Sequence, residues 1–225
     1  MHPVKQWYED RLGERLVKAL AQNRIPAVYF STKEEARERV LQEIPPGAKV
    51  GVGGSVTIRE LGLIETLEAR GHRVVHHWRP ELGHSAEGGR RDDFVPGMDF
   101  QVRREALLAD VYLCSSNTVT MDGKLVNIDG FGNRVAAMIF GPGRVIIIAG
   151  LNKVVSDVAA ALDRIKNVTA PMSSKRGRSK APCAITTECV DCDSPDRSCS
   201  VITIIEKKPK ATDMLVVLVG EELGF

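Results

Sequence analysis

The stretch "AKVGVGGSVTIREL", residues 48–61, runs from alternating valines through two adjacent glycines into a helix-forming segment. Val50 and Val52 suit a short strand, Gly53 and Gly54 a tight turn, and a new helix follows. A strand turning through glycine into a helix is a joint of an α/β sheet. The flanking sequence repeats the pattern. "LIETLEARG" reads as a helix ended by Gly71 and "HRVVHHW" as a second strand. "RPELGHSAEGGRRDDFVPGM", residues 79–98, reads as a long loop with a helical turn or two; "MDFQVRREALLAD" is helical and "DVYLCSS" a strand. "MDGKLVNIDG" is a strand entered through the turn dipeptide Asp122-Gly123. "GNRVAAMIFG" is helical, "RVIIIAG" a buried strand and "NKVVSDVAAALDRIKNV" a helix.

Upstream, Val4, Trp7, Tyr8, Leu12, Leu16 and Leu20 recur at helical spacing. Ser31 with Glu34 reads as a capping box for a helix that stops before Pro45 and Pro46. Downstream, "TAPMSSKRGRSKAP" is polar, basic and expected to be exposed. "SVITIIEKKPKATDMLVVLVGEELGF" reads as two strands joined by a polar turn. The alternation predicts an α/β fold whose mostly parallel sheet carries helices on both faces. Residues 1–44 form an N-terminal helical segment and 45–225 the α/β domain, with a cysteine-rich loop at 171–200.

Composition narrows the function. The 225 residues are 43% hydrophobic and 27% charged with net charge +2, as in a soluble protein with a sizeable core. So small a net charge argues against nucleic acid as a partner. The basic run "SSKRGRSK", residues 173–180, lacks aromatic interleaving and reads as a solvated loop. The N-terminus carries acids and bases through its first apolar stretch, unlike a signal peptide. "VIIIAG" and "MLVVLVG" are too short to cross a bilayer. The expected location is the cytoplasm, where thiols stay reduced.

Two turns are candidate anion sites. Gly53, Gly54, Ser55 and Thr57 combine outward amides with hydroxyls at a strand-to-helix junction. The turn lacks the GK[ST] of a P-loop, and Val56 stands where a dinucleotide fingerprint needs its third glycine. In "NIDGFGNRV", Gly130 and Gly132 flank Phe131, and Asn133-Arg134 opens a helix, an arrangement able to hold a carboxylate or phosphate. Capped turns with a surface arginine are the plainer reading of the same residues. His76 and His77 end a strand and His84 follows in the loop, with Glu81, Glu87, Asp92 and Asp93 as acidic neighbours. They are candidates for acid–base work, or solvated loop polar residues.

Cys183, Cys189, Cys192 and Cys199 form C-x5-C-x2-C-x6-C. Four thiols in so short a reduced segment can close around an iron–sulfur cluster or zinc, or remain free or act as a redox pair. Cys114, inside an apolar strand, reads as a small buried hydrophobe.

"GVGGSVTIRELGL" and "MDGKLVNIDGFGNRVAAMIFGPGRVIIIAGLNKVV" together resemble the LUD domain, the lactate utilisation protein family. The resemblance covers much of residues 45–165. It implies a three-layer α/β/α sandwich similar to ribose-phosphate isomerases, glucosamine-phosphate deaminases and CoA transferases. It also implies a component of a lactate or similar 2-hydroxy acid oxidation system, working with iron–sulfur oxidoreductase partner subunits. The ligand site then maps onto Gly53, Gly54, Ser55, Thr57, Asp122, Gly130, Gly132, Asn133 and Arg134. Family members often carry a glutamate just before the turn glycine; here Met121-Asp122 stands there, and Asp122 joins His76 and His77 as a catalytic candidate. The cysteine segment lies outside the core pattern, and an oxidation system tilts its metal toward an iron–sulfur cluster over zinc. The alternative is a sugar-phosphate or acyl-CoA binding protein with structural zinc. The chain is compatible with a homo-oligomer.

Overall fold

The computed structural model describes residues 2–85 and 89–225. Helix α1 (Pro3–Gln22) buries Leu16 and Leu20. Strand β1 (Ala27–Phe30) and helix α2 (Lys33–Gln42) follow. The capping box of α2 is made by Thr32 and Glu35, one residue beyond the expected Ser31 and Glu34. Ser31 is spent elsewhere, its hydroxyl donating to Asp10 at 2.8 Å.

Next come β2 (Val50–Val52), α3 (Val56–Glu60), α4 (Leu63–Ala69) and β3 (Val74–Val75), which is shorter than "HRVVHHW" suggests. Among its described residues, the long loop carries a 3-10 turn, Pro80–Leu82, before α5 (Phe100–Ala106). Then follow β4 (Val111–Cys114), β5 (Thr118–Thr120), β6 (Leu125–Asp129), α6 (Asn133–Ile139) and β7 (Arg144–Gly150). The segment after β7, expected as one helix, is divided. A 3-10 turn at Leu151–Lys153 leads into β8 (Val154–Val155), and α7 (Val158–Arg164) starts only at Asp157, whose carboxylate caps it through the Ala160 amide. A π turn, Ile165–Thr169, joins α7 to α8 (Ala170–Arg176). The expected exposed loop is therefore largely helix. Pro171 falls in the first turn of α8, where its missing N–H costs nothing, and Ala170, Pro171 and Ser174 are buried. The chain closes with α9 (Cys183–Thr186), β9 (Val201–Ile205) and β10 (Asp213–Val219).

Six strands form one parallel sheet in the order β1-β10-β7-β4-β2-β3. Side chains alternate between its faces. Val52, Leu113, Ile146, Ile148 and Val217 meet α2, α3 and α4, where Val40, Ile58 and Leu67 are fully buried. Tyr112, Cys114, Val145, Ile147 and Val216 point the other way, toward Leu16 and Leu20 of α1, Ala106 of α5 and Met138 of α6. The result is the expected α/β/α sandwich.

A second sheet, β8-β5-β6-β9, presses Val119, Leu125 and Ile205 onto this second core. Its outer residues Val126 and Ile128 are covered by Ala161 of α7 and Ile165. The two C-terminal strands are present but belong to different sheets: β9 pairs antiparallel with β6, and β10 lies between β1 and β7. Strand β1 precedes residue 44, and its pairing with β10 puts the N-terminal segment in the same sheet as the rest.

The β5–β6 hairpin docks on α1 at Gly123. Asn23 donates to the carbonyls of Asp122 and Gly123 at 2.8 and 2.9 Å. Gly123 has φ +80°, and an added Cβ would come within 2.5 Å of the Ala19 carbonyl. Gly123→Ala is expected to destabilise the fold by about 1–3 kcal/mol, read as a lower urea midpoint.

Candidate functional site

Because the six strands are parallel, their carboxyl ends gather along one edge, where α/β sheets bind ligands. There lie the 53–55 turn after β2, His76 and His77 after β3, Ser115–Asn117 after β4, Lys153 after β7, and Leu223–Phe225 beyond β10. Of these, Gly54, Ser55, His77, Ser115–Asn117, Lys153, Gly224 and Phe225 line a cleft of about 200 Å³ and an adjoining recess of about 40 Å³, the two sharing Gly54, Asn117, Arg134, Ser173 and Arg176 as walls.

Both predicted glycine turns face this cleft. An added Cβ at Gly53 would meet the Tyr112 hydroxyl at 2.9 Å, and one at Gly54 the His77 ring at 3.3 Å. Ser55 caps α3 by accepting from the Ile58 amide. Gly130 and Asn133 are on the cleft wall, and Gly132 adopts φ +81° as the N-cap of α6. Helices α3 and α6 are only five and seven residues long, so positive charge in the cleft comes chiefly from side chains.

Arg134 is the most heavily engaged of them. One terminal nitrogen donates to the Ser115 carbonyl at 3.0 Å and to Asn127 Oδ1 at 2.6 Å; the other donates to Asn117 Oδ1 at 3.1 Å and the Ile128 carbonyl at 3.0 Å. Its Nε pairs with Asp129 at 3.3 Å. With its donors so committed, Arg134 offers a ligand its charge more than its hydrogen bonds.

"NK" reads from the sequence as the start of a helix, whereas the structure puts Lys153 in the 3-10 turn after β7. Its Nζ donates to Ser115 Oγ at 2.8 Å and Thr57 Oγ1 at 2.9 Å, and the residue is only 3% exposed. Burial, with the charges of Arg134 and Arg164, brings its pKa down to about 7. Thr57 thus serves the site by accepting from this amine. Ser115 escaped notice because "SSN" carries no motif, and Arg176 because its segment read as an exposed loop. Arg176 stands over the rings of Trp78 and Phe225 at 5.9 and 6.0 Å.

His77 lines the cleft; burial and the Arg103 charge hold it well below the ordinary histidine range, so it is neutral at pH 7. Behind it, His84 packs edge-on at 5.1 Å and lies 3.3 Å from Asp99. Burial opposes ionisation of Asp99, yet hydrogen bonds to His84 and Arg103 and the Arg103 charge outweigh it and keep the carboxyl far below its usual range. Among the acids expected beside the histidines, Glu87 lies outside the described residues, and Asp92 and Asp93 pair with Arg178 and Arg91. His76 is turned toward Glu68 at 3.7 Å, and Asp122 sits in the hairpin turn with Thr120 and Lys124; neither lines the cleft.

The cysteine segment is fastened to the same edge. Ser198 closes over Gly130 and lines the cleft, the Ser200 amide donates to the Asp129 carbonyl at 3.0 Å, and Ser174 of α8 reaches Ser198 at 3.3 Å. Arg197 clasps the carbonyls of Cys192 and Cys199 at 2.5 and 3.2 Å. All four thiols are unpaired. Burial raises the Cys199 thiol; Arg197 opposes this, while the charges of Cys189, Cys192 and Cys183 add to it. Among the described residues, no three His, Cys, Asp or Glu side chains already stand in metal-holding geometry. Cys114 is the buried hydrophobe expected, its thiol pushed up to about 12 by burial.

Fold and site together define an α/β/α sandwich with a cationic cleft at the strand ends and a thiol-rich segment at its rim. The LUD domain family model matches residues 13–219, and the chain belongs to that family, which is associated with lactate utilisation. One solved structure, the crystal structure of a DUF162 family protein from Deinococcus radiodurans, aligns over 94% of this chain and 98% of its own at 12% identity and a TM-score of 0.48. None of the curated proteins compared with the chain matches it. No helix among the described residues is long and apolar enough to cross a membrane.

Arg134→Met should remove the charge that faces Asp129 and one donor each from Asn117 and Asn127, whose oxygens keep only backbone amides, and cost about 3–5 kcal/mol in denaturant unfolding. Lys153 gives a pH signature. Its folded pKa near 7 lies below the ordinary 10.5, so the unfolded chain holds the extra proton between those values and stability rises with pH across that window. Urea unfolding at pH 6 and pH 9 should show this gain in the native protein and its loss in Lys153→Met.

Proposed function

We propose that this chain is the LUD-domain component of a system oxidising lactate or a similar 2-hydroxy acid. The anionic substrate lies in the strand-end cleft, and the cysteine segment carries an iron–sulfur cluster. The observation behind the ligand reading is the charge of the lining: Arg90, Arg103, Arg134 and Arg176 surround the cleft, with Lys153 in its recess, against a single carboxylate among the described lining residues, Asp129. A small carboxylate entering it replaces water with fixed positive charge in a partly desolvated site. Neutral His77 on the wall can accept a hydrogen bond from a ligand hydroxyl through its unprotonated ring nitrogen, with the Gly54 turn close beside that ring.

Cys183, Cys189, Cys192 and Cys199 would hold the cluster. Bound there, it supplies single-electron acceptance and passes electrons to iron–sulfur oxidoreductase partner subunits. The donor set suits this chemistry, and Arg197, linking Cys192 to Cys199, supplies a positive charge that offsets the thiolates. Ser198 and Cys199 are adjacent in sequence, so the segment that carries the thiols also walls the ligand cleft.

Protein prepared without oxygen is expected to be brown, absorb near about 400 nm and contain iron and sulfide, with colour lost when the four cysteines become serine. A colourless preparation containing zinc would support the structural-zinc alternative instead. Lactate and pyruvate should each raise the unfolding temperature, and chloride at equal ionic strength should not.

A further inference from the structure

A lysine withdrawn from water is costly unless a carboxylate compensates it. Lys153 is 3% exposed, and its amine is held only by the hydroxyls of Ser115 and Thr57 among the described residues. Arg134 and Arg164 add like charge, and the carboxylate whose charge reaches it, Glu60, acts without direct contact. The surroundings therefore leave a sizeable share of the amine uncharged at neutral pH, and burial with a cationic neighbour is the setting that makes a lysine nucleophilic.

The amine also has somewhere to act. It lines the adjoining recess with Ser55, Thr57, Ser115, Ser116 and Asn117. At about 40 Å³ the recess has room for about three water-sized groups. That suits the carbonyl end of a small acid, with the cationic wall of the wider cleft left for a carboxylate.

We propose that Lys153 captures the carbonyl carbon of a 2-oxo acid as an imine. This rests on the reading of the cleft as a site for a small carboxylate and names its oxidised ligand class and the atom that binds it. The Nζ lone pair forms the bond to the carbonyl carbon, giving a carbinolamine. The carbonyl oxygen then leaves as water, carrying both amine protons, and a C=N bond remains. No oxidant or reductant is consumed. Ser115 and Thr57, at 2.8 and 2.9 Å from the nitrogen, are placed to pass protons from nitrogen to oxygen.

The test is reductive trapping of the whole protein with pyruvate and sodium borohydride, followed by peptide mass mapping, beside equilibrium dialysis of labelled pyruvate. The expected result is a reduced pyruvate adduct on Lys153 and none at position 153 in Lys153→Arg. Acetone, which lacks the carboxylate, should label Lys153 at least about tenfold less, the factor one charge contact typically supplies. Pyruvate that is retained in dialysis but never trapped on Lys153 overturns the imine and leaves the carboxylate site standing. Absence of both retention and adduct overturns the two together. Adducts confined to surface lysines also overturn the proposal. The site is located on the native chain, so the test does not depend on how well Lys153→Arg folds.

Discussion

The guanidinium of Arg134 is the tie on which the ligand edge depends. It reaches from the first turn of α6 to the end of β4 through the Ser115 carbonyl, and to the end of β6 through Asn127, Ile128 and Asp129. β4 belongs to the six-stranded sheet and β6 to the smaller one. One planar, always-charged group thus fixes the angle at which two sheets meet, and its forked geometry lets it satisfy several acceptors at once. A lysine could neutralise Asp129 but could not span both strand ends.

That tie has an electrostatic cost which the site uses. Arg134 is paired with Asp129, yet its charge still weighs on Lys153, the second largest cause of that amine's lowered pKa after burial. The same arginine therefore shapes the cleft and adjusts its most reactive group. Behind the other wall, buried Asp99 is held by Arg103 and His84, so Asp99 and the partly buried Asp129 each neutralise one arginine. Among the described residues Lys153 has no such partner in contact. Among the described residues the lining carries more arginines than carboxylates, and that surplus of positive charge lies next to the strap running from Ser198 into β9.

Much of the architecture was legible because full burial leaves a plain mark. After Arg144, "VIIIAG" is apolar throughout, as is "MLVVLVG", since both faces of β7 and β10 are covered. The glycine turns were legible for a similar reason, as close contacts at Gly53 and Gly54 exclude larger residues. Pairing was not. Nothing local in β9 or β10 says which strand will lie beside it, and the polar turn between them resembles that of a hairpin. Segments 152–156 and 170–176 were misjudged for different reasons. Two valines fit a helix face as well as the two-residue strand β8, and Pro171 reads as a breaker until a π turn delivers it to a first helical turn. Lys153 stayed hidden because a buried lysine is known only by its surroundings, which come from strands far apart in the chain. The four cysteines stood out at once, since their spacing is itself the signal.

The position of β10 bears on how the molecule is made. Strand β1 emerges among the first elements, yet β10, among the last, is the strand it pairs with in the sheet. On a ribosome the early strand would wait, backbone groups unpaired, through most of synthesis. Closure over so long a stretch of chain is slow, and an exposed strand edge meanwhile invites association with other nascent chains. Helix α2, whose reciprocal cap needs nothing distant, and α1, docked on the β5–β6 hairpin well before β10 arrives, are the pieces able to shelter that edge in the interval. A chaperone holding the early segment would substitute for a neighbour not yet translated.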